Sequence, residues 1–99
     1  MAESEWDPVK EEKNINDRRI DFTTAREIWN GAVVERIDDR RDYGEIRIIA
    51  TGEVDGRLMV VVYTWRGTVR RIISARKANP REKRRFEAEI HKRRREAER

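Results

Sequence analysis

Residues 57–78, RLMVVVYTWRGTVRRIISARKA, constrain the fold more than any other stretch of this chain. Leu58-Met59-Val60-Val61-Val62-Tyr63 is the most apolar run, and Thr68-Val69-Arg70-Arg71-Ile72-Ile73-Ser74-Ala75 returns after a turn at Arg66-Gly67. β-Branched and aromatic residues on both sides of a glycine-containing turn predict a β-hairpin. Leu58, Val60 and Val62 alternate with Met59, Val61 and Tyr63, so both faces of the first arm are apolar. Such a strand belongs inside a sheet covered on each side. The second arm brings Arg70, Arg71 and Arg76 beside that core. On pattern alone this is an ordinary hairpin with solvated arginines. The register follows the loop. With Arg66-Gly67 alone as the turn, Tyr63 faces Arg70; with Trp65 in a loop that ends at a left-handed Gly67, Tyr63 faces Val69.

Ninety-nine residues are expected to form one domain, 1–99, whose segment 91–99 is a basic helical tail. Only 36% of residues are hydrophobic and 44% are charged, so the core must be small and the surface densely charged. The apolar residues cluster in periodic segments, which separates this chain from a disordered one. Without cysteine there is no disulfide and no thiolate chemistry. The single histidine, His91, lies in the charged tail, which leaves little for a zinc site or a histidine-based triad. No stretch reads as a membrane span or signal peptide, and a cytoplasmic location is expected. Residues 76–99 carry 11 Lys/Arg against 5 Asp/Glu, whereas residues 1–75 carry 13 against 15. A basic end attracts nucleic acid or any acidic partner.

Along the chain, Met1–Glu5 has no pattern and reads as frayed or as a short edge segment. Asp7-Pro8 signals a helix start, with Asp7 as cap and Pro8 in the first turn, running to about Arg18. Val9 and Ile15 are its main apolar residues. Thr23 is a plausible cap for a second helix that stops at Gly31, with Ala25, Ile28 and Trp29 on its core face. Strands are predicted over 32–37 and 45–50, and a turn over 52–56 leads into the central hairpin. Asn79-Pro80-Arg81-Glu82 is a capping-box start for a last helix, whose Phe86 and Ile90 dock on the sheet. The expected fold is α+β, in the order α-α-β-β-β-β-α, with four antiparallel strands.

Gly52–Gly56 is a hairpin turn, not a phosphate loop, and the carboxylates Asp38, Asp39 and Asp42 read as a solvated loop. No cofactor and no metal is expected. RNA carries its own nucleophile, the 2′-hydroxyl. Cleaving RNA needs a base for that hydroxyl, cations for the charge on phosphorus, and an acid for the leaving 5′-oxygen. Glu45, Arg47, Tyr63, Arg66, Arg70 and Arg76 are the residue types for those roles near the sheet.

Several stretches resemble the BrnT family of bacterial toxins. They are Trp6-Asp7-Pro8 with Lys10 and Asn14; Ile20-Asp21-Phe22 and Ala25; Gly44-Glu45-Ile46-Arg47; Gly56-Arg57; Val61-Val62-Tyr63-Thr64 with Arg66-Gly67; and Arg71-Ile72-Ile73-Ser74-Ala75-Arg76 with Ala78 and Glu82. The resemblance implies a fold like that of RelE-type toxins and metal-independent RNA cleavage that inhibits translation. It also implies a BrnA-like antitoxin with a ribbon-helix-helix DNA-binding domain, in a complex of two toxins with two antitoxins that represses its own promoter. On this reading Arg47, Arg66 and Arg76 hold phosphates, Glu45 or Lys10 is the base, Tyr63 is the acid, and Arg18, Arg70 and Arg71 bind RNA. Where the family usually has Lys-His-Gly, this chain has Asp17-Arg18-Arg19. Arginine replaces the histidine's charge but stays protonated and shuttles no proton near neutral pH. Two alternatives follow: a catalytically impaired homologue that acts only as a binding partner, and a nucleic-acid-binding module driven by the basic tail.

Overall fold

The computed structural model describes residues 2–98. Its sheet is five-stranded, in the order β1-β5-β4-β3-β2. The strands are β1 (Ser4–Trp6), β2 (Val33–Ile37), β3 (Ile48–Val54), β4 (Arg57–Arg66) and β5 (Val69–Lys77). The helices are α1 (Pro8–Arg18), the short α2 (Phe22–Ala25), which tightens into a 3₁₀ turn over Arg26–Asn30, and α3 (Pro80–Ala97). The α+β class stands, and the C-terminal four strands are antiparallel as expected. The addition is β1. It pairs in parallel with β5 from Ser4↔Arg70 to Trp6↔Ile72, so the sheet is mixed. A strand this short carries too little pattern to be read against its neighbours. The arrangement is consistent with a RelE-like fold.

β4 is the centre, buried on both faces as its double apolar pattern requires. On one face Met59, Val61 and Tyr63 pack with Phe22, Ala25 and Ile28 of the α2 segment, and with Ile72 and Ala75 of β5. On the other, Val60 packs with Ile49 and Ala78 beneath the start of α3. The first hairpin turn is tighter than the sequence suggested, and the second is shifted by one residue. β3 and β4 meet through Asp55-Gly56, both at positive φ (49° and 78°), the condition for a type I′ turn. Gly52 therefore lies within β3, where an added Cβ would meet Ile28 Cβ at 2.8 Å. β4 and β5 meet through Gly67-Thr68, with Gly67 at φ 62° as a type II′ turn requires. Neither predicted register holds. The pairing shifts by one residue between Val62 and Tyr63, so that Val62 faces Ser74 while Tyr63 faces Ile72, leaving Ile73 as a bulge.

The helix caps show which signals were read correctly. Asp7 Oδ1 accepts from Val9 N–H at 2.9 Å, and Asn79 and Glu82 form the full capping box of α3. The cap of α2 is Asp21, not Thr23: Asp21 Oδ1 accepts from Thr24 N–H at 2.6 Å. Glu11 of α1 accepts from Phe22 N–H at 2.9 Å and so satisfies a second free donor of that helix. Val9 is 72% exposed and Ile15 38%, so α1 does not dock through its apolar residues. Its anchor is the buried Asn14, which donates to Ile20 C=O at 2.8 Å and accepts from Ala75 N–H at 3.1 Å. Ala75 lies beyond the part of β5 that β1 pairs, so Asn14 completes that edge. At the end of α1, Arg19 takes the left-handed conformation, φ 61°, which glycine adopts more readily than other residues.

Replacing Asn14 by alanine strands one buried carbonyl and one buried N–H. Asn14→Ala is expected to destabilise the fold by about 2–4 kcal/mol, read as a lower urea midpoint with an unchanged denaturant slope.

Candidate active site

The sequence-derived residues do not converge on one point. The bulge and the strand alternation distribute them over both faces of the sheet.

On the face that carries α3, Glu45, Arg47 and Arg66 gather at the open end of β3 and β4. Thr64 Oγ1 donates to Ile46 C=O at 2.7 Å and Asp38 N–H to Arg47 C=O at 2.8 Å, so the 43–47 segment runs on alongside β4. Glu45 and Arg66 line a cleft of about 580 Å³ with Tyr43, Ile46, Thr64 and Trp65. The Arg47 guanidinium lies 4.1 Å from the centre of the Tyr43 ring and 3.8 Å from Glu45. Behind it, the buried Asp38 accepts two bonds from the Arg40 side chain at 2.8 Å and one from Tyr43 at 3.0 Å. The Arg40 guanidinium holds the Asp38 carboxyl far below the usual carboxylate range, against the cost of burying it. Arg71 faces Thr64 and pairs with Glu5 at 3.5 Å. Arg76 is engaged in a two-pronged bridge to Glu82, at 2.6 and 2.7 Å, which ties β5 to the first turn of α3. Arg76 in turn holds the Glu82 carboxyl below its ordinary range.

Tyr63 and Arg70 lie together on the opposite face, where the α2 segment packs. The Arg70 guanidinium sits between two indoles, 4.4 Å from the Trp29 ring centre and 4.8 Å from that of Trp65. Trp65 faces Arg70 across the β4–β5 ladder, and Trp29 projects from the 3₁₀ turn. Cations favour such aromatic faces because each ring presents negative charge there. Among the described residues Arg70 makes no ion pair, and its buried Nε finds no acceptor. Tyr63 is 1% exposed, yet its hydroxyl reaches Glu35 of β2, donating to Oε2 at 2.5 Å. Burial and then the Glu35 carboxylate push the phenol up to about 12, with Arg70 pulling the other way. The three rings form one edge-to-face series, with Tyr63 5.2 Å from Trp29 and 5.6 Å from Trp65 between centres.

Lys10 and Arg18 are exposed on α1 and join neither group. Among the described residues no group of three or more His, Cys, Asp or Glu side chains is placed to hold a metal ion. Also among them, no helix is long and apolar enough to cross a membrane.

Residues 6–82 match the family model for the ribonuclease toxin BrnT of type II toxin-antitoxin systems. The chain belongs to the BrnT family. No curated protein matches it closely enough to add to this. Membership makes this a toxin of a type II pair, with RNA as substrate and a cognate antitoxin as partner. The residues gathered around Tyr63 and Arg70 in this BrnT chain include three that sequence reading missed in that role: Glu35, Trp29 and Trp65. Trp29 was assigned to the core. Glu35 shares a strand face with Val33 and Ile37, but its nearness to Tyr63 depends on how β2, β3 and β4 pair, which a single strand's pattern does not show.

A phenol raised from 10.0 to about 12 favours the folded state while it stays protonated. Its contribution is present below about pH 10 and is lost as pH rises toward 12. Urea denaturation between these values is expected to show a larger loss of stability for the native protein than for Tyr63→Phe.

Proposed function

We propose that this BrnT-family chain is an active endoribonuclease that cleaves single-stranded RNA by internal attack of the 2′-hydroxyl, without a metal ion. The observation that carries this reading is the Arg70 guanidinium, fixed between Trp29 and Trp65, with no carboxylate partner among the described residues, and set beside the Tyr63–Glu35 pair. A cation held by aromatic faces keeps its charge available for a phosphate, and a fixed cation needs no reorganisation as charge builds up on phosphorus. Trp65 is 41% exposed and offers a ring on which a flanking base stacks. Arg47, Arg66 and Arg71, on the other face and rim, steer the RNA backbone, with Glu45 between them; Arg76 joins them when Glu82 releases it. Lys10 and Arg18 add outer phosphate contacts. The antitoxin is BrnA-like, with a ribbon-helix-helix domain through which a complex of two toxins and two antitoxins binds operator DNA. The chain acts as one domain in the cytoplasm and inhibits translation.

A second reading, a catalytically impaired homologue that acts only with its antitoxin, is favoured by one observation. Asp17-Arg18-Arg19 replaces the family's Lys-His-Gly, and the exposed Arg18 shuttles no proton. The two readings separate when the purified protein is incubated with end-labelled single-stranded RNA. The ribonuclease reading expects fragments ending in 2′,3′-cyclic phosphate, the same yield with a chelator, no cleavage of an all-2′-deoxy oligonucleotide, and arrest by the antitoxin. Intact RNA together with normal growth of expressing cells, and toxicity gained on restoring Lys-His-Gly at 17–19, would establish the second reading instead.

A further inference from the structure

We propose that Glu35 is the general base of the cleavage reaction, that Tyr63 positions it, and that Arg70 supplies the cation at phosphorus. This rests on the ribonuclease reading above and names a base outside the residues implied by family resemblance.

Glu35 lies in the middle of the edge strand β2, opposite Ala50. Its row across the sheet continues through Ala50, Val61 and Ala75, residues of the α2-side core. The small Ala50 leaves room on that face. The Tyr63 phenol, one row along, reaches diagonally to the carboxylate. Only Oε2 is engaged; no hydrogen bond holds Oε1 among the described residues, and Glu35 is exposed. The carboxylate is thus held at one oxygen by a buried donor and free at the other. Among the described residues it makes no ion pair, whereas Glu45 and Glu82 are both drawn to arginines. Glu35 takes the Tyr63 hydroxyl bond while the Arg70 guanidinium lies 5.5 Å from the centre of the same ring, so the carboxylate and the guanidinium both border Tyr63. A base beside a fixed cation is what internal transesterification of RNA needs.

In the step itself, Glu35 Oε1 takes the proton of the 2′-hydroxyl. The 2′-oxygen forms its bond to phosphorus while the bond from phosphorus to the 5′-oxygen breaks. The leaving 5′-oxygen takes a proton from water, and the resulting hydroxide is neutralised by the proton on Glu35. The products are a 2′,3′-cyclic phosphate and a 5′-hydroxyl, with no net gain or loss of electrons or protons. Tyr63 stays protonated throughout and holds the carboxylate in place.

The test compares the native protein with Glu35→Gln, Glu35→Asp, Tyr63→Phe and the Glu35→Gln/Tyr63→Phe double variant, using single-turnover cleavage of one RNA oligonucleotide across pH. Circular dichroism and antitoxin binding verify each fold. Glu35→Gln is expected to slow cleavage by about 10²–10⁴-fold. The native rate falls with acid along a limb of unit slope that Glu35→Gln lacks, and Glu35→Asp recovers part of the rate. Tyr63→Phe slows the native protein, but adds nothing in the Glu35→Gln background, because it acts only through Glu35. A Glu35→Gln protein that cleaves at the native rate with the native pH profile overturns the inference and leaves the ribonuclease reading standing. A native protein that leaves RNA intact overturns both. If Glu35→Gln does not fold, the pH profile of the native protein decides: no acidic limb, no carboxylate base.

Discussion

The extra residue in β5 decides what the central hairpin presents. With uninterrupted pairing from Val62↔Ser74, Tyr63 would face Ile73, Trp65 would face Arg71, and Ile72 would leave the α2-side core. With Ile73 as a bulge, Ala75 and Ile72, three residues apart, both bury on that face, and Arg70 comes to lie against Trp65. The driving force is hydrophobic. A one-residue slip in a strand moves every side chain beyond it to the other face. Keeping both Ala75 and Ile72 buried therefore requires an odd residue between them. The cost is local disruption of the ladder at one point. The consequence is that one arginine of a charged arm is held against an aromatic wall, while its neighbour Arg71 turns to the opposite face.

That division sorts the arginines by what holds them. Arg40, Arg71, Arg76 and Arg93 each have a carboxylate within 4 Å. Where such a pair is exposed, as between Arg93 and Glu89, it contributes little stability, but every one of these pairs neutralises the charges involved and fixes where they point. Arg76 is the clearest case: Glu82 serves both the capping box and the bridge, so this arginine belongs to the joint between β5 and α3 in the free protein. Arg70 is held by aromatic faces instead, and among the described residues no acid pairs with it. In a chain whose formal net charge is +4, the count of basic residues therefore says less than which of them lack a partner.

Local chemistry was legible where a signal is local. Asp7-Pro8 and Asn79-Pro80 with Glu82 mark helix starts because the cap, the proline and the acid act within one turn. The double apolar pattern of Leu58–Tyr63 placed β4 at the centre because a strand covered on both faces leaves no polar row. What was not legible depends on partners distant in sequence. β1 is three residues whose pairing is set by the free edge of β5. Asn14, 61 positions before Ala75, has the composition of a solvated helix residue and is buried because an edge N–H needs an acceptor. Tyr63 was singled out, but its partner Glu35, 28 positions earlier, comes near it only through the pairing of β2 with β3 and of β3 with β4. The bulge left no mark in the apolar pattern of the arm, since Ile72 and Ile73 are equally suited to burial.

Residues 17–19 bear differently on fold and chemistry. Arg19 occupies a left-handed position that glycine takes at no steric cost, which for other residues costs roughly 1–2 kcal/mol. The fold absorbs this: Asn14 and Ile20 still lock the end of α1 to β5, and Lys13 and Asp17 pair across one turn at 2.7 Å. Arg18 is exposed and holds no part of the core, and its guanidinium stays protonated, so this position shuttles no proton near neutral pH. Proton transfer must then fall to groups elsewhere in the chain. The Glu35 carboxylate, held at one oxygen by Tyr63, offers its other oxygen for that transfer, which a guanidinium that stays protonated cannot do. The buried phenol beside it adds orientation, which a freely rotating surface acid lacks.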